Sequence, residues 1–383
     1  MKLKDICSVF IDGDWIETKD QSDYGIRLIQ TGNIGEGIFL EKQGKEKYIS
    51  TETFKDLKCT EVFAGDLLIS RLPEPIGRAC IIPLKDDRMI TAVDCTICRF
   101  DNSKVIAKYV CYFMQSKFYY NQLKKYTLGT TRKRISRKNL GTININVPNL
   151  SLQQKIIDVL DKIENLIDNR QQQLNLLDEL IKSRFIEMFG DPVTNPMGWE
   201  IRNLSQIAEY FNGLTYSPDN IVDDGMIVLR SSNIQNGELD FNDIVRVNVK
   251  VKQNILVKDD DILMCSRNGS ARLVGKAALI RDLKEPMTFG AFMMIIRSQY
   301  NKYLMQYLKL PAFRRQIKTA ATTTINQITI KMLDDIKLPL PPIELQNKFA
   351  AFVEQVEKTK STIKKSLDEL NLLKDSLMQK YFG

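Results

Sequence analysis

Along most of the chain, apolar residues come in short runs of Ile, Leu and Val cut by Gly, Asn, Asp and Pro. Examples are GIRLIQTGNI (25–34), GDLLISR (65–71), IGRACIIP (76–83) and AVDCTICRF (92–100). Such runs predict short strands with tight connections. A short helix is expected near Leu3, another pattern of helical spacing runs from Lys104 to Lys125, and ININVP (143–148) reads as a last strand. Over 151–190 and again over 344–383 the pattern changes to one long helical period. Apolar positions fall at Leu152, Ile156, Val159, Ile163 and Leu166, and in the second stretch at Leu345, Phe349, Phe352, Val356, Thr359, Ile363, Leu367 and Leu370. This is a narrow seam suited to helix-on-helix packing. Neither stretch has an internal Pro or Gly; Ser151 with Gln154 forms a capping-box start, and Gly190 before Asp191-Pro192 forms a stop. About forty residues give a rod of roughly 57–60 Å, and the obvious partner of each rod is the other. The polar run Asn169-Arg170-Gln171-Gln172-Gln173 reads as a solvated turn of helix, with a register device as the alternative.

The two stretches are copies. Leu152 falls on Leu345, Gln153 on Gln346, Lys155 on Lys348, Leu174 on Leu367, Leu177 on Leu370 and Phe189 on Phe382, without a gap. What precedes them repeats too. MIVLRSSNI (226–234) matches GIRLIQTGNI, DDILMCSR (260–267) matches GDLLISR, and VGKAALI (274–280) matches IGRACII. The helical segment KYLMQYLKLPAFRRQIK (302–318) matches KYVCYFMQSKFYYNQLK (108–124), and 323–342 matches the basic stretch before 148. The expected organisation is a globular domain at 1–148, a long helix at 149–192, a second domain at 193–341 and a second helix at 342–383. Outside the anchors the two domains differ, as expected if one scaffold binds two different things.

Composition narrows the chemistry. The 383 residues, 43% apolar and 27% charged, suit two folded domains with connecting helices. No apolar run approaches the ~18 residues of a membrane span, and MKLKDICSVF lacks a signal-peptide core, so a cytoplasmic protein is expected. Seven Cys without framework spacing suggest reduced thiols; Cys95 and Cys98 form a single CxxC that reads as core. The chain has no His, which removes Ser-His-Asp and Cys-His catalysis and the common zinc sites. Net charge is +8, but its distribution says more. Residues 102–157 hold eleven Lys or Arg and 286–333 hold seven, and neither window has an acid. Two acid-free basic windows, each just before a long helix, point to a polyanion.

Candidate contact residues follow from position and type. The loop Thr130, Thr131, Arg132, Lys133, Arg134, Ser136, Arg137 and Lys138 combines cations for phosphate, Arg for the guanine edge, and hydroxyls for either. Its counterpart, with Thr323, Thr324, Asn326 and Gln327, is neutral and better suited to adenine. Arg71 and Arg267 close matching strands, followed by Arg78, Arg272 and Lys276. Arg230, Ser231 and Asn233, like Asn33 in the first half, sit after matching strands; for each Asn, turn geometry and DNA contact stand equal. Tyr119, Tyr120 and Phe313 read as core. Gly32-Asn-Ile-Gly35-Glu-Gly37 fits no phosphate loop, and Asn195-Pro196-Met197-Gly198 falls short of an amino-methyltransferase signature. The run Asp259-Asp260-Asp261, matched in the first half only by Asp66, reads as a turn.

The order of variable unit and constant helix, the stretch LQQKI…LNLLDELIKSRFIEMFGDP (152–192), LPLPPIELQNKF (338–349) and RLIQTGNI…GDLLISRLPEPIGRA resemble a specificity subunit of a type I restriction–modification system. The resemblance implies an α+β chain. Two mixed α/β target-recognition domains are separated by two long antiparallel helices forming a coiled coil, with a pseudo-two-fold internal repeat. It implies a non-catalytic subunit that binds double-stranded DNA, each domain reading half of a bipartite asymmetric site. It also implies two methyltransferase subunits docked on the helices, with motor–nuclease subunits joining them. S-adenosylmethionine, ATP and Mg would be bound by those partners and no cofactor by this chain; no membrane is involved. The neutral loop at 322–327 departs from a basic recognition loop. The alternative is a self-contained DNA methyltransferase or nuclease.

Overall fold

The computed structural model describes residues 1–127, 133–320 and 326–383, and for 318–320 the backbone alone. The chain divides into two compact units, residues 1–172 with 364–383, and residues 173–363. The long helices run Leu150–Phe189 and Ile343–Phe382, so each unit owns one globular module and a stretch of both helices.

In the first unit an antiparallel sheet has the order Cys7–Asp12, Cys95–Phe100, Leu67–Ser70, Ala79–Ile81. A mixed sheet has the order Tyr48–Ile49, Ile26–Ile29, Met89–Thr91, Glu61–Val62, with the central pair parallel. The second unit repeats both. Glu209–Asn212, Met293–Arg297, Ile262–Cys265 and Ala277–Leu279 form the antiparallel sheet, and Met226–Leu229 again runs parallel to Met287–Phe289. The strands Leu67–Ser70 and Ile262–Cys265 are buried throughout because both faces are covered, which is why they read as continuous apolar runs. Beside each antiparallel sheet lies a helix pair, Ala107–Phe113 with Lys117–Lys124, and Asn301–Lys309 with Pro311–Ala320. The single helical period seen over 104–125 is broken at Ser116, whose hydroxyl accepts from Tyr119 N and starts a new helix. In the repeat, Pro311 does the same work at a first helical position.

A matched ion pair pins each antiparallel sheet. Buried Asp66 takes Arg99 at 2.7 Å, and buried Asp261 takes Arg297 at 2.6 Å. Asp261 is therefore an anchor rather than a plain turn residue. All seven Cys are unpaired and six are buried; burial pushes the Cys95 thiol up to about 12.

The long helices are less a private seam than the fourth wall of each core. In the first unit Ile156, Ile157 and Leu160 join Tyr109, Tyr112 and Phe113, and from the other helix Phe382 packs on Tyr109 at 5.3 Å. Lys374 pairs with Glu164 at 2.8 Å, so the two helices run antiparallel there. In the second unit Phe349 packs on Phe185 and Phe189 at 5.6 and 5.2 Å, and Lys360 reaches Asp178 at 2.9 Å, again antiparallel. Leu152 and Leu166, expected in the seam, are exposed, because the inward face also serves the globular module. The first helix is capped two residues earlier than expected: Asn149 Oδ1, not Ser151, accepts from Leu152 N at 2.9 Å. It ends as expected at Gly190, in the left-handed region at φ +79°. The expected strand over 143–148 is only an isolated bridge, Lys2 to Asn144, whereas its counterpart Lys337–Leu340 does pair, with Glu200–Asn203. Among the described residues no helix is long and apolar enough to cross a membrane.

Candidate nucleic-acid interface

Four segments meet at one end of the antiparallel sheet in the first unit. Gly13 follows the edge strand and lies so close to the turn after Met89–Thr91 that an added Cβ would sit 2.3 Å from Thr91 O. Arg71 leaves the central strand; its backbone N–H donates to Asp94 O at 2.9 Å and its carbonyl accepts from Ile135 N at 3.3 Å. Thus the ends of two strands, the 92–94 turn and the basic segment after 132 are stitched together.

The second unit builds the same convergence. An added Cβ at Gly213 would lie 2.2 Å from Gly290 O. Ser266 and Arg267 N–H groups donate to Phe292 O at 3.0 and 3.1 Å. Ile328 N donates to Ser266 O at 2.7 Å, Asn268 N to Asn326 O at 3.3 Å, and the Asn326 amide to Gly269 O at 3.1 Å. Gln327 bridges Arg267.

The side chains presented there differ sharply. Arg71 is buried: Nη2 donates to Val93 O at 2.6 Å, Nη1 to Ile135 O at 3.4 Å, and Nε lies 3.3 Å from Asp12. Arg78 is buried as well, and gives its guanidinium to four carbonyls, Ile34, Pro73, Pro75 and Thr31, at 2.6–3.0 Å. Both cations are turned inward to hold the loops in shape. Arg267, the repeat of Arg71, is exposed, and Asn212 stands where Asp12 stands in the first unit. Its guanidinium lies over the ring of Phe292 at 5.6 Å, and Phe292 is itself 62% exposed. Sequence reading missed Asp12 and Phe292. Aligning the halves at Gly13 and Gly213 would have revealed the Asp-to-Asn exchange.

Of the basic segment, Lys133, Arg134, Ser136, Arg137 and Lys138 are exposed. Lys133 pairs with Glu74 at 2.8 Å, Arg137 stands 3.9 Å from Asp12, and Ser136 caps the turn Arg137–Leu140. Arg272 is exposed, Lys276, Asn326 and Gln327 are half-buried, and Thr130, Thr131, Arg132, Thr323 and Thr324 lie outside the described residues. Asn33 and Asn233 are turn residues. Asn233 Oδ1 accepts from Arg230 N and its amide donates to Asp240 O and Asp243 O, all near 2.9 Å; Asn33 bonds Gln30 N and Leu40 O likewise. Arg230 pairs with Asp243 at 2.8 Å beside Ser231. Tyr119 and Phe313 are fully buried and Tyr120 is half-buried.

A family model described as the type I restriction modification DNA specificity domain matches residues 1–179 and again 196–372. The specificity subunit of the type I restriction enzyme StySPI from Salmonella potsdam is 25% identical over 301 residues, 72% of this chain and 64% of its own length. That of EcoKI from Escherichia coli strain K12 is 24% identical over 73% of this chain and 65% of its length. The chain thus spans just under two thirds of these two relatives. The MjaIX specificity subunit of Methanocaldococcus jannaschii, 22% identical, is matched over 96% of this chain and 85% of its length. In fold, the chain resembles a chain from work on assembly and conformational transition of the type I R-M system, with TM-score 0.61, 17% identity, and 100% and 96% of the two chains covered. It also resembles the S subunit of a type I restriction–modification system from M. genitalium, with TM-score 0.57, 15% identity, and 100% and 95% covered. Two matched copies of one domain, on the two repeats that the fold displays, place this chain in the type I restriction–modification DNA specificity domain family.

Proposed function

We propose that this chain is the DNA-reading subunit of a type I restriction–modification enzyme, with each globular module reading one half of a bipartite, asymmetric site. The observation that carries the reading is the four-segment convergence, built twice from the same strand ends and lined by different side chains. The first edge is set by Lys133, Arg134, Arg137 and Lys138, which suit phosphates and guanine; the second by Arg267, Asn326 and Gln327. The long helices set the distance between half-sites and dock two methyltransferase subunits. Leu176 with Leu180, one turn apart on the first helix, and Leu372 with Leu373 on the second are exposed apolar residues suited to that contact. S-adenosylmethionine belongs to those subunits, ATP and Mg to the motor–nuclease subunits, and this chain contributes recognition without catalysis.

The test is a module exchange. The chain is co-expressed with its methyltransferase subunits, and methylated adenines are mapped before and after residues 193–341 are replaced by the matching module of a relative. One half of the recognised sequence changes and the other stays. A change in both halves, or methylation by the purified chain without partners, overturns the reading.

A further inference from the structure

The repeat supplies an internal control for a pocket in the second unit. In the second unit a cavity of about 350 Å³ lies between the hairpin turn at Asn236 and Gly237, the helix Asn301–Lys309 and the first long helix. That volume suits a small ligand. Gln306 is buried, only 8% exposed, and its carboxamide has no hydrogen-bond partner among the described residues, although it lines the cavity. Lys309, one turn on, reaches beneath the turn, with Nζ 3.8 Å from where a Cβ on Gly237 would stand. Among the described residues no carboxylate reaches it at ion-pair distance, though Glu357, Asp178 and Glu238 lie near enough to act on its charge. The cavity is lined by Lys182, Lys276, Lys309, Arg314 and Asp178; Asp178 pairs with Lys360 at 2.9 Å and Lys182 with Glu179 at 2.6 Å, and Glu238 and Glu357 lie in the adjoining cleft.

The corresponding cleft in the first unit, about 280 Å³, is equipped differently. Aligning the helical segments puts Gln115 at the Lys309 position and Tyr112 at the Gln306 position; aligning the long helices puts Asp375 at the Lys182 position. Gln115 sits beneath Gly37 as Lys309 does beneath Gly237, but its amide is satisfied by Cys111 O at 3.2 Å. The Tyr112 hydroxyl donates into the Asp161 and Glu164 carboxylates, at 2.6 and 2.8 Å. Glu36 and Asp375 share the cleft with Lys117 and Lys374; Asp375 pairs with Lys117 at 3.6 Å and Lys374 with Glu164 at 2.8 Å. One unit has filled this place with hydrogen-bonded groups; the other has Lys309 and Gln306 standing at a cavity without a direct hydrogen-bond acceptor among the described residues.

We propose that the second unit holds a binding site for a small phosphate-bearing molecule, with its phosphoryl group on Lys309 and Gln306. A phosphoryl group offers three acceptor oxygens to donors from different directions, which a planar carboxylate cannot do as well. Met305, Ile181 and Phe185 line the same cavity and accept a less polar body. Of the candidate DNA-contact residues only Lys276 lines this cavity.

Calorimetric titration of the full chain without DNA, at fixed ionic strength, tests it with inorganic phosphate and phenyl phosphate as probes. Both bind saturably, phenyl phosphate more tightly. Lys309→Gln and Gln306→Tyr, each installing the residue that the first unit already carries, weaken binding at least tenfold. Arg267→Ala changes it less than twofold. The proposal is overturned if the unmodified chain shows no saturable binding, if both cavity variants bind as before, or if Arg267→Ala alone removes it. Lys309 is solvent-accessible, so its variant keeps the test valid if Gln306→Tyr fails to fold.

Discussion

Arg71 and Arg267 occupy one position of the repeat and should fail in opposite ways. Arg267 is exposed, lies over Phe292 and meets no carboxylate among the described residues, so its charge is free for nucleic acid. Replacing it with Ala removes one phosphate contact or one base contact. A lost phosphate contact lowers the salt slope of log affinity by about 0.9. A lost bidentate base contact costs ~1–3 kcal/mol, roughly 5- to 150-fold in Kd. Unfolding should hardly change, since a single exposed substitution costs within about 0.5 kcal/mol. Arg71→Ala instead strands Asp12 and the Val93 carbonyl. Breaking a buried pair costs ~3–5 kcal/mol; Asp12 is 24% exposed and also accepts from Thr96, which puts the cost near the lower bound. The assay is fluorescence anisotropy of the complex with its methyltransferase subunits on the mapped target across a salt series, beside urea unfolding of each variant. Unchanged affinity and slope for Arg267→Ala would refute the assignment, as would an Arg71→Ala chain that unfolds normally but binds DNA weakly.

Three further outcomes are expected. Asn212→Asp gives Arg267 the partner that Arg71 has, and should lower DNA affinity several-fold with little effect on stability; anisotropy with unfolding midpoints checks this. Phe382→Ala, although next to the last residue, removes a ring packed on Tyr109 and Phe113, and should destabilise the first unit by about 3–5 kcal/mol in urea, as should Phe349→Ala in the second unit. Leu176→Glu with Leu180→Glu should leave folding intact while weakening co-purification of methyltransferase subunits at least tenfold; undiminished co-purification would remove that face from the docking surface.

The repeat, most of the strands and the long helices were legible in the sequence, because each rests on local periodicity and on end signals such as Gly190; the strand expected over 143–148 and the single helix over 104–125 were not borne out. What was not legible depended on long-range partners. Leu152 and Leu166 have the right spacing for a seam, but spacing does not say which helix face the globular module claims. Asn149 took the cap from Ser151 because backbone geometry, not residue type alone, decides which side chain reaches the free N–H. At the candidate interface, residue type located the right loops but not the direction of each side chain. Arg78 faces four carbonyls and Arg71 faces Asp12, and neither is visible until the strands are paired. The Asn pair resolved to turn geometry for the same reason: their bonds run to carbonyls seven and ten residues away.

Under the proposed function the long helices set the spacing between the two half-sites. Inserting four residues between Gln171 and Gln172 lengthens the first helix by about 6 Å, close to two base-pair steps of ~3.4 Å. Sequencing methylated adenines after co-expression with the methyltransferase subunits should return both half-sites unchanged, with a spacer longer by one or two base pairs. An unaltered spacer in an active complex, or a single uninterrupted recognition sequence, would contradict the account.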